Sequence, residues 1–211
     1  MNPEPHPAPP AGRLDENMLA ADPISQFSRW FAEAAGAGFP EPNAMVLATV
    51  SPTGQPHART VLLKKHSVAG FEFYTNRTSV KGQDLAAEPR ASLLFPWYAQ
   101  QRQVRVEGRV TAMTQEQSEP YFHSRPHGSQ VGAWASRQSS VLRSRAELEE
   151  RWAELERRWP DGTEVPLPDF WGGYLLVPDS LEFWQGRPNR LHDRLRYRAS
   201  ATGWTVERLS P

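Results

Sequence analysis

The sequence predicts an α+β domain in which an antiparallel, closed or half-closed β-barrel carries peripheral helices. Three observations favour this class: six or more segments read as strands, most of them are joined by short turns, and the helical patterns lie around them. Short connections join antiparallel neighbours, because parallel strands need a long crossover. The length of 211 residues suits one domain with a sizeable core.

The first half of the chain begins with a predicted helix at Asp22-Pro23, since Asp is a good N-cap and Pro fits the first helical position. Ile24, Phe27 and Trp30 then recur at helical spacing. Strands are predicted at residues 44–51, 57–65, 71–76, 91–98 and 102–113, with a short polar helix at 78–88.

The second half is predicted to start with helices at 114–122 and at roughly 127–137, because Pro126 opens a helix more readily than it continues one. A third helix follows the capping box that Ser144 and Glu147 form. Its apolar stripe consists of Leu148, Trp152, Leu155 and Trp159. The closing strands are predicted near 171–177, 181–186, 193–198 and 203–208.

Composition excludes several classes of protein. Lys plus Arg and Asp plus Glu number 24 each, which argues against a general nucleic-acid binder or a basic interaction module. The absence of Cys excludes disulfides and thiolate chemistry, and no apolar run is long enough to span a bilayer. The Pro-rich residues 1–21 predict a disordered tail before one domain at 22–211. We expect a cytoplasmic protein.

Arg59 and Lys64 are the first candidates for anion binding. They are five residues apart on one predicted strand, so alternation places them on opposite faces unless a bulge intervenes. Either both cations are solvated at a strand edge, or each serves a different anion.

Thr78, Ser79 and Lys81 stand at the start of the predicted helix 78–88. Backbone N–H groups, hydroxyls and a Lys at a helix start can cradle a phosphate. The alternative is an ordinary N-capped surface helix, which the stretch alone favours.

Tyr121, Arg125 and Ser129 recur every four residues and could hold one phosphate together, although Pro126 interrupts the helical path. His123 and His127 share this spacing, but no H-E-x-x-H pattern supports zinc, and we expect no metal. Three uncharged groups follow that could read the edge of a heterocycle or cap a helix end: Gln138, Ser139 and Ser140.

The stretch LEFWQGRPNRLHDRL, residues 181–195, predicts a hairpin. Pro188 breaks the strand, and Arg190, His192 and Arg194 would then project in one row on the returning strand. Cations in one row repel unless an anion lies among them. That anion is Glu182 or Asp193, solvent ions, or a bound phosphate.

The sequence contains no Ser-His-Asp triad, paired carboxylates or metal-ligand set that stands out. It offers scattered anion-binding groups and an unusual number of aromatics, including eight Trp. This is typical of proteins in which a cofactor carries the difficult chemistry.

Nine segments appear in one order: RTVLLKK, FYTNRTSVKG, SLLFPW, RQVRVEG, YFHSRPHGSQVGAWASRQSS, VPLPDFWGGY, LEFWQG, RLHDRLRY and ERLSP. With them, residues 22–211 closely resemble the pyridoxine/pyridoxamine 5′-phosphate oxidases, flavoproteins of the FMN-binding split-barrel fold. The resemblance implies a homodimer with two FMN sites at the subunit interface.

The resemblance also implies roles for individual residues. The FMN-binding residues would be Arg59, Val61, Leu62, Lys64, Tyr74, Thr75 and Lys81 from one subunit, with Gln103, Gln138, Ser139, Trp184 and Arg194 completing the site. The substrate phosphate would be held by Lys64, Tyr121, Arg125 and Ser129. Arg190 and His192 would face the reacting side of the substrate.

The implied reaction oxidises pyridoxine or pyridoxamine 5′-phosphate to pyridoxal 5′-phosphate, with O2 as acceptor, and yields H2O2 and, from the amine, NH3.

Two departures from the family pattern stand out: Val80 replaces a usually basic residue, and the Pro-rich N-terminus shows no clear equivalent of the arm that covers the substrate. Two alternatives remain: a split-barrel oxidase acting on another ring, such as a phenazine precursor, and a non-catalytic flavin- or pyridoxal-phosphate-binding protein.

Overall fold

A computed structural model describes residues 13–211, which form one antiparallel nine-stranded sheet and five α-helices. The helices are α1 Pro23–Gly36, α2 Val80–Ala87, α3 Gln115–Ser124, α4 His127–Ala135 and α5 Arg145–Arg158. The strands are β1 Ala44–Val50, β2 Pro56–Leu62, β3 Lys65–Ser67, β4 Gly70–Asn76, β5 Arg90–Trp97, β6 Arg102–Ala112, β7 Trp171–Gln185, β8 Asp193–Ser200 and β9 Gly203–Arg208. Among these residues, no helix has both the length and the apolar character needed to cross a bilayer.

The sheet curls into a half-closed barrel. Its strand order is β2-β1-β5-β6-β7-β4-β3, and β8 and β9 extend it from β7. All pairs are antiparallel, as the short turns predicted, and β2 approaches β4 from the other end of the sheet without pairing. The α+β barrel prediction is confirmed.

The prediction of two separate strands near 171–177 and 181–186 is wrong, because both segments belong to one continuous strand, β7. Its first part pairs with β4 and its second part with β8, while β6 accompanies both. Pro178 cannot donate to the ladder, and the register with β6 shifts between Glu107 and Gly108 opposite it. A Cβ at Gly108 would clash with the carbonyl oxygen of Val177, so this close approach requires glycine.

The predicted strand 57–65 is also corrected, because it is two strands with a break at Leu63 and Lys64. The backbone N–H of Leu63 donates to Asn43 O, and that of Lys64 donates to Glu72 O, each at 2.9 Å. These partners lie on other segments, so the chain changes direction where local alternation predicted continuity.

An aromatic core holds α1 against the sheet. Asp22 accepts from the backbone N–H groups of Ile24 and Ser25 at 2.9 Å, which confirms the predicted helix start. Phe27 is fully buried, and its ring lies 4.9 Å from those of Phe71 and Phe95. Edge-to-face rings at such distances add to the stabilisation from burial.

A smaller core cluster lies between β7 and the last three helices. It consists of Phe122, Val131, Val165 and Trp171, against which Trp152, Leu155 and Trp159 of the predicted α5 stripe pack. The predicted capping box is half formed: Ser144 accepts from the N–H of Glu147, but the Glu147 carboxylate accepts from Arg143.

Residues 13–21 pack against the C-terminal strands, so the ordered structure extends beyond the predicted boundary at residue 22. Leu14 is buried in the main core, and its N–H donates to Asp193 at 3.2 Å. Arg208 of β9 donates to Glu16, Asp193 and Leu14 O. The rest of the predicted tail, residues 1–12, lies outside the described residues.

This packing leads to a stability prediction. Leu14→Ala should lower the free energy of unfolding by about 2 kcal/mol, because it leaves a cavity in the main core. Urea denaturation at fixed protein concentration measures the change. Met18→Ala is the matched control, since Met18 belongs to the same segment but is half exposed. Equal stability of the two variants would contradict the packing of Leu14.

Candidate functional site

The main cleft opens where β2 and β4 meet α2, α3 and α4, and it encloses about 650 Å³. We call it the Tyr121 cleft. It is lined by eleven of the candidate residues: Arg59, Val61, Leu62, Lys64, Tyr74, Thr75, Lys81, Tyr121, Arg125, Ser129 and Gln138. These residues come from separate parts of the chain, so only the fold brings them together.

Arg59 and Lys64 both reach the Tyr121 cleft because of the break between β2 and β3. An Nη of Arg59 donates to Thr49 Oγ1 at 2.7 Å and to Leu47 O at 3.1 Å. Its other Nη lies 3.7 Å from the Asp84 carboxylate. Burial lowers the pKa of the Arg59 guanidinium, while Asp84 acts in the opposite direction. Arg59 is therefore held in place rather than freely solvated.

Lys81 lies at the start of α2 and is buried. Ser79 caps the helix, as one alternative predicted, but Lys81 turns inward instead of into solvent. Its Nζ donates to Gln138 Oε1 at 2.7 Å and to Ser79 Oγ at 3.3 Å, and no described carboxylate pairs with it. Burial and then the charge of Arg59 lower the pKa of Lys81 to about 8. Asp84 is the carboxylate beside Arg59, and Lys81 has only neutral partners among the described residues, so the two cations together fit an anionic group such as a phosphate.

Arg125 forms a second cationic group in the same cleft. Its guanidinium lies 4.7 Å above the ring of Trp171, and its Nη1 is buried without a hydrogen-bond partner among the described residues. Burial lowers the pKa of this guanidinium. A buried donor without an acceptor is costly, so Arg125 also fits an anionic ligand.

Tyr121 and Ser129 join Arg125 through the junction of two helices rather than along one helix. Arg125 is the C-cap of α3, and Pro126 precedes α4. The Tyr121 ring lies 4.1 Å from that of Tyr74, and Lys64 Nζ lies 5.6 Å from its centre. Pro126 thus redirects the chain without separating the three side chains.

A second cleft of about 730 Å³ lies elsewhere on the protein, and we call it the Trp184 cleft. It is lined by Gln103, Trp184, Arg190 and His192 among the candidates. Arg194 lines a smaller neighbouring cavity of about 230 Å³, which shares Gln103 and Trp184.

The predicted row of Arg190, His192 and Arg194 is wrong. Strand β8 begins only at Asp193, because Pro188 and two residues with left-handed backbone, Asn189 and Arg190, extend the turn. Arg194 instead donates to Glu182 at 2.7 Å, one of the partners that the sequence offered. Glu182 also accepts from Arg105 at 2.7 Å, and its hydrogen bond to Arg194 raises the pKa of that guanidinium.

His192 is fixed by its neighbours. Its Nδ1 accepts from the backbone N–H of Arg187 at 3.1 Å, and its ring lies 4.6 Å from that of Trp184. A backbone N–H can only donate, so Nδ1 carries no proton and the hydrogen of the neutral ring is on Nε2.

A third cleft of about 410 Å³ adjoins the Tyr121 cleft, and we call it the Ser139 cleft. Arg59 and Lys81 line both clefts, and Ser139 adopts a left-handed backbone with φ of 71°. Val80 also lines this cleft, together with His57, which the sequence analysis did not single out. Gln138 lines the Tyr121 cleft, and its Oε1 accepts hydrogen bonds from Thr75 and Lys81. Lys81 in turn lines both clefts.

The Tyr121 and Trp184 clefts occupy opposite ends of β7. Trp171 lines the first and Trp184 the second. The two Trp residues are thirteen positions apart on one strand, or roughly 40 Å of extended chain. One chain therefore does not merge its two groups of candidate residues into one site.

The remaining candidates have other partners. His123 lies 3.8 Å from Glu119, and His127 contacts the carbonyl of Trp159. No cluster of metal-ligating side chains occurs within residues 13–211. Sequence reasoning missed Asp84 and Trp171, which lie near the cations. It also missed His57, although the alternation in HARTV places His57 on the same strand face as Arg59.

Two family profiles match the chain. The family profile described as "Pyridoxamine 5′-phosphate oxidase" matches residues 31–157. The profile described as "Pyridoxine 5′-phosphate oxidase C-terminal dimerisation region" matches residues 171–211. The chain is 58% identical over 205 residues to a pyridoxine/pyridoxamine 5′-phosphate oxidase of Frankia alni, covering 95% of this chain and 85% of the relative. It is 56% identical to one from Burkholderia cenocepacia, covering 94% and 93%.

Solved structures agree on the fold. PhzG from Burkholderia lata 383, in complex with tetrahydrophenazine-1-carboxylic acid, superposes with a TM-score of 0.90 at 29% identity, covering 97% of this chain and all of that one. A pyridoxamine 5′-phosphate oxidase-related, FMN-binding protein from Nostoc punctiforme gives a TM-score of 0.70 at 16% identity, covering 92% and 100%, and supports the split-barrel fold alone. With both profiles matched and close relatives along nearly its whole length, the chain belongs to the pyridoxamine 5′-phosphate oxidase family.

Proposed function

We propose that this protein is an FMN-dependent oxidase that converts pyridoxine or pyridoxamine 5′-phosphate to pyridoxal 5′-phosphate. O2 is the electron acceptor, and the products include H2O2 and, from the amine, NH3. One observation carries the proposal: the Tyr121 cleft is lined by two separate groups of cations, Arg59 with the buried Lys81, and Lys64 with Arg125, whose Nη1 is buried without a partner among the described residues. Two phosphorylated ligands side by side, cofactor and substrate, account for both.

FMN fits the first group. Lys81, Arg59 and Ser139 would hold its phosphate, and Gln138 and Thr75 would bind its polar edges. The sequence offered Gln138 and Ser139 either as ligand-binding groups or as a helix cap, and their contacts with Thr75 and the Ser139 cleft favour binding. When bound, the flavin supplies the hydride acceptor that no side chain of this protein can provide.

The substrate phosphate fits the second group. Arg125, Tyr121, Ser129 and Lys64 would anchor it far from the reacting carbon. Binding energy from such a remote group can hold the reacting carbon in place, which raises the rate rather than only the affinity.

Arg190 and His192 are proposed to face the reacting side of the substrate. Arg190 would donate to the C4′ substituent and favour negative charge there. His192 would donate from Nε2, because Nδ1 already accepts from Arg187. Taking a second proton at Nδ1 would cost that bond, so His192 orients the substrate more readily than it acts as a base through Nδ1.

A homodimer unites the two halves of the site. The Tyr121 cleft of one copy would meet the Trp184 cleft and Arg194 of the other, since one chain holds them at opposite ends of β7. The matched dimerisation region, residues 171–211, contains Trp184, Arg190 and His192. The cytoplasmic location stays a prediction.

The purified protein provides the direct test. Its visible spectrum should show a flavin, and pyridoxine 5′-phosphate added in air should produce H2O2 and an aldehyde. Unphosphorylated pyridoxine is the control and should react far more slowly. Bound flavin without peroxide from either phosphorylated substrate would indicate a binding protein instead.

A phenazine-type ring is the second candidate substrate, because PhzG superposes so closely. Such a ring without phosphate has no use for the buried Arg125. Comparable turnover of a tetrahydrophenazine carboxylic acid and pyridoxine phosphate would favour this alternative.

Substitution of Arg125 tests whether the substrate carries a phosphate, as pyridoxine 5′-phosphate does and a phenazine-type ring does not. Arg125→Ala should raise KM for pyridoxine 5′-phosphate about 100-fold, because the phosphate loses a charged hydrogen-bond donor in a buried setting. Steady-state peroxide assays measure KM. The exposed Arg143→Ala is the control and should leave KM unchanged. An unchanged KM in Arg125→Ala would remove the substrate phosphate from this part of the cleft.

A further inference from the structure

The Ser139 cleft contains a basic residue that the proposed function has not used. His57 lies on β2 and lines this cleft together with Arg59, Lys81 and Ser139. His57 and Arg59 are two residues apart on one strand, so their side chains share a face. Three basic side chains therefore surround one small cleft beside the helix start at Ser79.

A carboxylate holds the imidazole of His57 in one orientation. His57 Nδ1 lies 2.9 Å from Asp84 Oδ2 on α2, and Thr49 Oγ1 donates to the same oxygen at 2.6 Å. Burial alone would raise the pKa of the Asp84 carboxyl, but the hydrogen bonds from Thr49 and His57 and the charge of Arg59 keep it below its ordinary value. An ionised carboxylate can only accept, so Nδ1 of His57 is the donor.

The opposite nitrogen, Nε2, has no partner among residues 13–211, and about a third of the side chain is exposed. With Nδ1 donating to Asp84, Nε2 can donate to an anion only when the ring is an imidazolium. The ionisable groups around it are Asp84 and Lys81 on α2 and Arg59 on its own strand. Asp84 offsets part of the repulsion among these cations and leaves the cleft basic.

Val80 gives this arrangement its significance. It lines the same cleft and carries an exposed apolar side chain, so it brings no charge to the cleft. Without His57, Arg59 and Lys81 would be the only basic side chains that line the Ser139 cleft.

We propose that His57, oriented by Asp84, is the third basic ligand of the cofactor phosphate and supplies the charge that Val80 does not. The inference rests on the proposed FMN function and deepens it. His57 acts as a binding residue, and its contribution is specific for the phosphate rather than for the flavin ring.

The test compares FMN with riboflavin, which has the same ring but no phosphate. Quenching of flavin fluorescence on titration with cofactor-free protein gives both affinities. His57→Gln should weaken FMN binding about tenfold and leave riboflavin binding unchanged, since a charged hydrogen bond of this kind is worth about that much.

Two further variants sharpen the result. Val80→Arg introduced into His57→Gln should restore FMN affinity, because a guanidinium beside the same cleft replaces the lost cation. His123→Gln is the matched control, since His123 is partly exposed, pairs with Glu119 and lies outside the three clefts. It should change neither affinity.

Equal losses for FMN and riboflavin in His57→Gln, or no loss for either, would overturn the assignment of His57. If the wild type still prefers FMN over riboflavin, the proposed function survives that failure. A wild type that binds both flavins equally well would overturn the phosphate site as a whole, and His57 with it.

Discussion

Arg190→Ala should reduce turnover of pyridoxine 5′-phosphate by about 100-fold while leaving FMN content unchanged. The side chain lines the Trp184 cleft, away from the cations proposed to hold the cofactor. Its loss therefore removes a donor from the reacting side of the substrate and leaves the cofactor phosphate contacts intact. Single-turnover reduction of the flavin, followed at its visible absorbance without O2, measures the chemical step directly.

Leu191→Ala is the matched control for this variant. Leu191 follows Arg190 in the same turn and is largely exposed, so its truncation shortens a side chain of that turn but removes no polar group. A rate of flavin reduction in Arg190→Ala that equals that of the control would eliminate Arg190 from the reaction.

Lys81→Met should weaken FMN binding by about 100-fold, because it replaces a buried cation with an apolar side chain of similar length. Flavin absorbance after dialysis measures retention. Lys65→Met, which removes an exposed lysine paired with Glu72, should retain the cofactor. A flavin spectrum in dialysed Lys81→Met equal to that of the wild type would contradict the phosphate assignment.

The pKa of Lys81 adds a second readout. Burial and Arg59 lower it to about 8, so the ammonium loses its proton as pH rises through that value in the cofactor-free protein. Phosphate needs the charged form, and FMN affinity should therefore fall as pH rises above about 8. Lys81→Arg should bind FMN without this fall, because arginine stays charged. Stopped-flow titrations across this range compare the two.

Local patterns in the sequence predicted most of the elements, because each pattern reflects contacts that its own segment makes. The Asp22 cap and the apolar face with Phe27 are set within one helix, and the structure confirms both. The break at Leu63 and Lys64 was missed, since it depends on hydrogen bonds to Asn43 and Glu72. No property of the segment itself reports those partners.

The candidate site likewise contains features that local spacing predicted and features that depend on long-range contacts. Tyr121, Arg125 and Ser129 were predicted to act together from their spacing, and the junction of α3 and α4 brings them to one cleft. The pairing of His57 with Asp84 spans 27 positions and two elements, so no spacing rule reports it. The turn at Pro188 was predicted, but its extension through Arg190 depends on left-handed backbone that few non-glycine residues adopt.

The contacts of Arg208 with Glu16 and Leu14 place the two described ends of the chain beside each other. A circular permutant could therefore join these described ends through a short linker and start at the exposed Asp161-Gly162 turn. It should form the same contacts as the original chain.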